Sequence, residues 1–277
     1  CRTQVQTNTE NWEKITRKIG RWVDFENDYK TMDIEFMESV WWVFKELWSK
    51  DLIYQDYKVL PYSWAASTPL SNFEANMDYR DVEDPSIYFT LDARDDYKKV
   101  IKGDKFLVWT TTPWCIPGNL AIAIGKEIEY SRISIKNNFY WIATDRLFEM
   151  SDYEVEVLET SIGKDLIGAS YIPAYSEYEH LFKDGAFRII HSDDTNTESG
   201  SGLVSQAPAY GESDFYALKN ASIDVIADPV TLSGKFDSTF KELDGLNVKD
   251  ADKLIMDQLE ERGNLFSKTT EMHSYPF

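Results

Sequence analysis

At 277 residues, the chain is long enough for one large domain, or for one domain with an appended piece. A hydrophobic share of 43% with 14% aromatic residues favours a packed core and excludes a disordered chain. The 29 basic and 48 acidic residues give a net charge of -19, which argues against broad binding to a nucleic-acid backbone.

The sequence contains no apolar run as long as a membrane span and no signal peptide, so we expect a cytoplasmic protein without a membrane partner. The only cysteines, Cys1 and Cys115, do not form a disulfide framework. The histidines are scattered without a zinc-binding spacing, so we expect no metal site. Because the chain starts with Cys1 rather than Met, we interpret it as a segment of a longer polypeptide.

Residues 1 to about 57 are predicted to be helical. Asn8 and Thr9 can cap a first helix, whose apolar side carries Trp12, Ile15 and Ile19. A second helix of roughly four turns has apolar residues at spacings of three and four, which is typical of a core or docking surface. This stripe comprises Ile34, Met37, Trp41, Phe44 and Trp48.

Residues 58–90 are predicted to be mostly an exposed loop that leads into a domain. Residues 91–212 show short strands broken by turns, a pattern that is typical of a barrel or sandwich. The predicted strands are 105–112, 120–124, 130–135, 139–143, 155–158 and 187–191, with a short helix over 145–150. Residues 212–277 are predicted to be helical again, with one helix over 213–221 and another that Asp250 caps and Gly263 closes.

The segment 109–124, WTTTPWCIPGNLAIAI, is the stretch with the clearest chemical character. A strand enters it, three threonines follow, and Pro113 and Pro117 prevent a regular continuation. A rigid turn lined with hydroxyl groups can hold a polar substrate. An ordinary turn at a strand end is the alternative interpretation.

The segment 200–214, GSGLVSQAPAYGESD, forms a second candidate half of a site. Leu203 and Val204 predict a short strand, and Ala207 and Pro208 end it. Asp214 then lies near the start of a helix, where the helix dipole alone can explain a carboxylate.

The order of these motifs resembles the isoleucyl-tRNA synthetases. TTTPW followed by P-x-N-L-A is similar to the threonine-rich peptide of their inserted editing domain, and Pro113-Trp114 favours the isoleucyl branch over the valyl and leucyl branches. The other landmarks follow in the family's order: the helical segment before the insertion, KVLPYSWAASTPLSNFE, GSGLVSQAPAYGESD, LDGLNVKDADKLI and HSYPF. The resemblance therefore extends over almost the whole chain.

The resemblance implies a mixed, strand-rich fold: a β-barrel-like editing core with peripheral α-helices and a helical N-terminal flank. It implies a flank of the nucleotide-binding catalytic domain over 1–57, the editing domain over 58–270, and a return toward the catalytic domain over 271–277. It also implies no cofactor in this segment, with ATP and magnesium expected only for the missing catalytic domain.

The implied function is post-transfer editing, the hydrolysis of valine mischarged onto isoleucine tRNA. We expect a monomer whose partners are the tRNA 3′ end carrying valine and a small amino-acid ester. The resemblance implies catalytic roles for Thr110, Thr111, Thr112 and Asn119, and substrate-binding roles for Asp214, Ser205, Trp109 and Cys115. Asp214 matches the family's anchor for the α-ammonium group, whereas Ser205 stands where the family usually has histidine.

Three other functions remain as alternatives. A module that binds the tRNA 3′ end with weakened or lost deacylase activity is suggested by Ser205 and Cys115. A hydrolase with a Ser201 or Cys115 nucleophile lacks the full motif and a local activating partner. A carbohydrate-active domain requires two carboxylates that face each other across a cleft, and no such pair is evident.

Overall fold

The computed structural model describes residues 2–276 and divides into a helical unit that ends at Tyr57 and a strand-rich unit that begins at Lys58. The helical unit contains α1 (Arg2–Lys18) and α2 (Ile34–Trp48). Within the described part of the chain, no helix combines the length and apolar character needed to cross a bilayer.

The helical unit departs from the prediction in two ways. Asn8 and Thr9 lie inside α1 rather than at its start, and the Thr9 hydroxyl donates to the Val5 carbonyl at 3.1 Å. The predicted stripe on α2 is exposed, with Trp41 at 68% and Trp48 at 61%. None of the described side chains up to Tyr57 is buried, so the stripe is not a core within this unit.

The second unit alternates strands and helices along the chain. Its strands and helices are β1 (Tyr62–Ser63), β2 (Thr68–Pro69), β3 (Tyr79–Asp92), β4 (Lys105–Thr110), β5 (Ala121–Ile124), β6 (Glu129–Ile135), β7 (Asn138–Ala143), β8 (Glu156–Ile162), β9 (Arg188–His191), β10 (Val204–Gln206), α3 (Glu212–Asn220), α4 (Val248–Glu261) and β11 (Leu265–Pro276). Short 3-10 helices cover Glu74–Asn76, Pro113–Gly118, Thr144–Met150, Gly163–Asp165 and Glu179–Asp184.

Nine strands within the described residues form one curled sheet in the order β8-β6-β7-β4-β10-β5-β9, with β3 and β11 joined through β4. On one edge, β4 pairs with β3 in antiparallel orientation along its length. On its other edge, β4 pairs in parallel first with β7 and then with β10. The predicted mixed, strand-rich class is confirmed.

The main core lies against the inner strands. All four residues of β5 are fully buried, which fits its uninterrupted apolar sequence because both of its faces are covered. A smaller apolar cluster contains Leu107, Ile133, Ile135, Tyr140, Ile142 and Met150. The six strands predicted between 105 and 191 all exist, with ends that shift by a few residues.

Two predictions for the ends of the second unit are wrong. The supposed loop before residue 90 contains β3, and the supposed helical region at the C-terminus ends in β11. These two strands pair with each other in antiparallel orientation, from Tyr79 opposite Pro276 to Phe89 opposite Leu265. They are far apart in sequence. Charged and apolar residues are mixed in both strands, so neither carries the alternation that reveals a strand on its own.

The start of α4 also needs correction. Asn247, rather than Asp250, caps α4, and its side chain accepts a hydrogen bond from the Lys249 amide at 3.1 Å. The predicted helix over 145–150 is a 3-10 helix. Gly263 follows α4 with a φ of +72°, as expected for a residue that closes a helix.

Candidate functional site

The threonine turn begins where β4 ends at Thr110. Thr112 precedes the 3-10 helix Pro113–Gly118, and Pro113 occupies its first position, where a missing N–H is tolerated. The hydroxyl groups of Thr110 and Thr112 lie 3.2 Å apart, and the Thr112 amide donates to Thr110 Oγ1 at 3.1 Å. The partly exposed Thr111 hydroxyl makes no hydrogen bond to another described residue, so it is available to a ligand.

Parallel pairing brings the second half of the site beside this turn. Val204 of β10 pairs with Trp109 of β4, so both strands end at the same edge of the sheet. Successive side chains of a strand point to opposite faces, which puts Ser205 and Thr110 on one face. Ligands commonly bind outside the carboxyl ends of parallel strands.

Asp214 lies in the first turn of α3 and folds back onto the end of β10. Its Oδ2 accepts a hydrogen bond from the Ala207 amide at 2.8 Å. A Cβ on Gly211 would lie 2.7 Å from the Asp214 Cγ, so glycine at 211 allows this approach. Among the described residues, no Lys, Arg or His forms an ion pair with Asp214, which leaves its charge available to a cationic ligand.

The electrostatics of the site follow from burial. Burial raises the pKa of the Asp214 carboxyl, and the hydrogen bond from the Ala207 amide opposes that change. Burial also raises the pKa of the Cys115 thiol to about 12, and the negative charges of Asp214 and Asp252 act in the same direction. The thiol is therefore protonated at neutral pH, which disfavours the Cys115 nucleophile.

Asp252 of α4, which the sequence motifs did not single out, contacts the end of the threonine turn. It is 6% exposed, and its Oδ1 accepts a hydrogen bond from the Trp114 amide at 2.8 Å, at the start of the 3-10 helix. Burial raises the pKa of Asp252 to about 6. A signal was present, because Asp252 continues the apolar stripe of α4 formed by Val248, Ile255 and Leu259.

A ring contact also joins the threonine turn to the segment between β10 and α3. The rings of Trp114 and Tyr210 lie 4.9 Å apart, and the Tyr210 hydroxyl donates to Asp228 at 3.2 Å. The turn is therefore held from two sides, by α4 and by the segment between β10 and α3.

Asn119 is buried, and every polar group of its side chain is engaged. Its Nδ2 donates to the Ala121 carbonyl at 2.8 Å and to Ser205 Oγ at 2.9 Å. Its Oδ1 accepts from the Tyr171 hydroxyl at 2.5 Å. Both hydrogens of the Asn119 amide are therefore engaged within the protein, one of them with Ser205.

Trp109 is separated from the other predicted site residues. Its indole Nε1 donates to Ser86 Oγ at 2.9 Å, and its ring packs against Gly200, where an added Cβ would lie 2.7 Å away. By strand alternation, this indole lies on the face of β4 opposite Thr110. The structure thus brings together the threonine turn, Asn119, Ser205, Cys115 and Asp214, but not the Trp109 ring.

Two other features lie outside this group. Ser201 is 1% exposed, and its hydroxyl donates to the Leu203 carbonyl at 3.1 Å, unlike an exposed nucleophile.

A cavity of about 410 Å³ between β9 and the end of α3 is lined by Arg188, His191 and Ser222 among others, and contains none of the predicted site residues. Within residues 2–276, no three His, Cys, Asp or Glu residues group as ligands for a metal ion.

Comparison with known proteins assigns the family. Residues 1–252 match the family model described as tRNA synthetases class I (I, L, M and V). The chain belongs to this family. It is 45% identical to an isoleucine–tRNA ligase of Bdellovibrio bacteriovorus over 100% of the chain, and 42% identical to the probable cytoplasmic isoleucine–tRNA ligase of Dictyostelium discoideum over the same share. These matches confirm the predicted resemblance to isoleucyl-tRNA synthetases.

The matched relatives are much longer than this class I synthetase segment, which spans 26% and 27% of their lengths. Its fold is similar to the crystal structure of GlLeuRS-CP1, with a TM-score of 0.50 at 13% identity over 66% of this chain and 98% of that one. The Plasmodium knowlesi cytosolic leucyl-tRNA synthetase editing domain gives a TM-score of 0.49 at 9% identity, over 70% and 96% of the two chains.

Proposed function

We propose that the second unit is an editing site that hydrolyses the ester between valine and the 3′ end of isoleucine tRNA. The proposal rests on one observation: the Asp214 carboxylate and the threonine turn lie at the same edge of the sheet, where β4 and β10 end. The similarity to isoleucine–tRNA ligases supports the choice of substrate.

The need for a second site follows from the size of the substrates. Valine lacks one methylene of isoleucine, a difference worth only about 1–3 kcal/mol in a binding pocket, and isoleucyl enzymes are the standard example of this limit. Hydrolysis of the wrong product at a separate site removes the remaining errors. Ligation of isoleucine with ATP and magnesium is proposed for the rest of the protein, beyond this chain.

Asp214 binds the α-ammonium group of the aminoacyl ester in this proposal. A carboxylate gives an ammonium group a strong and directional charge-assisted hydrogen bond. Because Asp214 has no basic partner among the residues described, the substrate's amine supplies the missing positive charge.

The threonine turn binds the terminal adenosine and the attacking water. Water adds to the ester carbonyl, and the tetrahedral oxyanion that forms needs donors that are already oriented. The Thr111 hydroxyl is free to donate, while the contact between Thr110 and Thr112 holds the turn in one shape. Only the single-stranded tRNA end needs to enter, where stacking and hydroxyl contacts matter more than many phosphate contacts, so the net charge of -19 is tolerable.

The test measures deacylation of valyl-tRNA by the chain and by the variants Asp214→Asn and Glu212→Gln. Both variants remove one carboxylate from the first turn of α3, but Glu212 is exposed. We expect Asp214→Asn to slow deacylation by about 10–100-fold, the range of a lost charge-assisted hydrogen bond, and Glu212→Gln to leave it unchanged. Equal rates for the three proteins would contradict the proposed role of Asp214.

The alternative of a tRNA-end binding module is motivated by Ser205 in place of the family's histidine. It predicts that the chain binds valyl-tRNA but releases valine no faster than Thr112→Ala or Asp214→Asn does. A substrate with an acetylated amine supplies a further check, since it cannot form the ion pair with Asp214. Editing predicts that acetylation slows the wild-type protein far more than it slows Asp214→Asn.

A further inference from the structure

A chain of hydrogen bonds connects the buried core to the proposed editing site. The Tyr171 hydroxyl donates to Asn119 Oδ1 at 2.5 Å, and Asn119 Nδ2 donates to Ser205 Oγ at 2.9 Å. Tyr171 is fully buried, and its ring packs edge-on against Phe187 with the centroids 5.9 Å apart. The inner end of the chain is therefore fixed, and only Ser205 at the outer end is partly exposed.

The direction of each hydrogen bond is determined by chemistry. The Ala121 carbonyl can only accept, so the group of Asn119 that lies 2.8 Å from it must be the amide nitrogen. The amide oxygen then faces Tyr171, whose hydroxyl must donate. The second hydrogen of the Asn119 nitrogen points at Ser205 Oγ, which must accept it.

The Ser205 hydroxyl therefore keeps its own hydrogen. Among the described residues, Ser205 Oγ donates to no acceptor, while one of its lone pairs is occupied by Asn119. Ser205 and Thr110 share one face at the ends of β10 and β4. The Ser205 hydrogen is therefore available to a ligand on the face that Ser205 shares with Thr110.

We propose that Ser205 donates this hydrogen bond to an oxygen of the bound aminoacyl ester, with Asn119 and Tyr171 as positioning residues that orient it. The inference rests on the proposed editing function and specifies how that site recognises its substrate. A histidine at this position would offer a ring nitrogen in place of the hydroxyl group. Here the recognised group is an acceptor oxygen.

Removing the Tyr171 hydroxyl has a specific consequence. In Tyr171→Phe, Asn119 Oδ1 becomes a buried acceptor without a donor, which is costly. The Asn119 amide is then no longer held at its Oδ1 end, so Nδ2 no longer keeps Ser205 Oγ in one position toward the substrate. Tyr171→Phe therefore acts through Ser205.

The experiment measures kcat and KM for valyl-tRNA deacylation by the full chain and by Ser205→Ala, Tyr171→Phe, the double variant and Ser205→Thr. Tyr175→Phe is the matched control, since the buried Tyr175 hydroxyl also donates to a side-chain amide oxygen, that of Gln258 at 2.6 Å. We expect Ser205→Ala and Tyr171→Phe each to lower kcat by about 3–10-fold with little change in KM. Ser205→Thr, which keeps a hydroxyl group, and Tyr175→Phe should retain the wild-type rate within about twofold.

Coupling between the two residues decides the result. The double variant should be no slower than Ser205→Ala, because Tyr171 has no other route to the substrate. The proposal would be overturned if the two single-variant losses in kcat multiplied in the double variant. Equal rates for Tyr171→Phe and Tyr175→Phe would also overturn it. If Tyr171→Phe fails to fold, as judged by circular dichroism, Ser205→Ala against Ser205→Thr still tests the donor, and equal rates for those two variants reject it. Failure of the editing function itself looks different, because the wild-type protein would then release valine no faster than Asp214→Asn.

Discussion

Helices α2 and α4 have apolar residues at similar spacings, but those of α2 are exposed and those of α4 are buried. Along α2, in the helical unit, Trp41 is 68% exposed. Along α4, in the strand-rich unit, Ile255 and Leu259 are fully buried, and the helix packs on the 3-10 helix Pro113–Gly118 and on β11. Periodicity reports only which face of a helix is apolar, whereas burial requires another element that covers this face.

The consequence for function is that α4 does more than close a core. Asp252 stands within its buried stripe and accepts the hydrogen bond from the Trp114 amide that holds the threonine turn. No described side chain of the helical unit is buried, and the proposed site draws all its residues from the strand-rich unit.

The largest effect expected from this comparison is on stability. Ile255→Ala should lower the free energy of unfolding of the strand-rich unit by about 2–5 kcal/mol, since it leaves a cavity in a packed core. The matched variant Ile34→Ala removes the same atoms from α2, where Ile34 is 67% exposed, and should change stability by less than about 0.5 kcal/mol. Urea unfolding followed by circular dichroism measures both, and similar losses would show that α2 is covered in solution.

A second prediction concerns Asp252 and pH. Burial raises its pKa from 3.8 to about 6, with Lys249 opposing this change and Asp84 adding to it. The folded protein keeps a proton that the unfolded chain has lost, so this group stabilises the fold fully below pH 3.8 and loses that contribution as the pH rises through about 6. The linked free energy is at most about 3 kcal/mol, because a tenfold difference in proton affinity between the two states corresponds to about 1.4 kcal/mol.

The variant Asp252→Asn tests the direction of this change in stability with pH. The stability of the variant relative to the wild-type protein should rise between pH 4 and pH 6 and level off at higher pH, because the amide does not titrate. Asp250→Asn, which removes a carboxylate from the exposed side of the same helix, is the matched control. A constant difference between the wild-type protein and Asp252→Asn across this range would contradict the raised pKa.

The smallest effect is expected from removing the helical unit. A chain that begins at Lys58 should deacylate valyl-tRNA within about twofold of the full chain, since a unit with its own core can fold alone. A large loss of activity with unchanged strand content would show that the first unit contributes to substrate binding. The measurement compares kcat/KM for the two proteins at equal concentration.

Local patterns predicted much of the fold but not its long-range pairing. The uninterrupted apolar run of β5 and the proline-flanked threonine turn are visible in the sequence because each depends on neighbouring residues. The pairing of β3 with β11 is not visible, because its partners come from opposite ends of the unit. The capping residue of α4 was missed for a local reason: Asn247 and Asp250 are both good capping residues, and only the backbone geometry distinguishes them.

The sequence by itself determined the family resemblance, the polar character of the turn and the positions where the chain must bend. Tertiary structure alone decided which side chains meet: Asn119 reaches Ser205 across 86 positions, and Trp114 reaches Asp252 across 138. The physical reason is that a hydrogen bond depends on distance and direction in space, and for residues so far apart these are set by how the whole sheet curls and what packs against it.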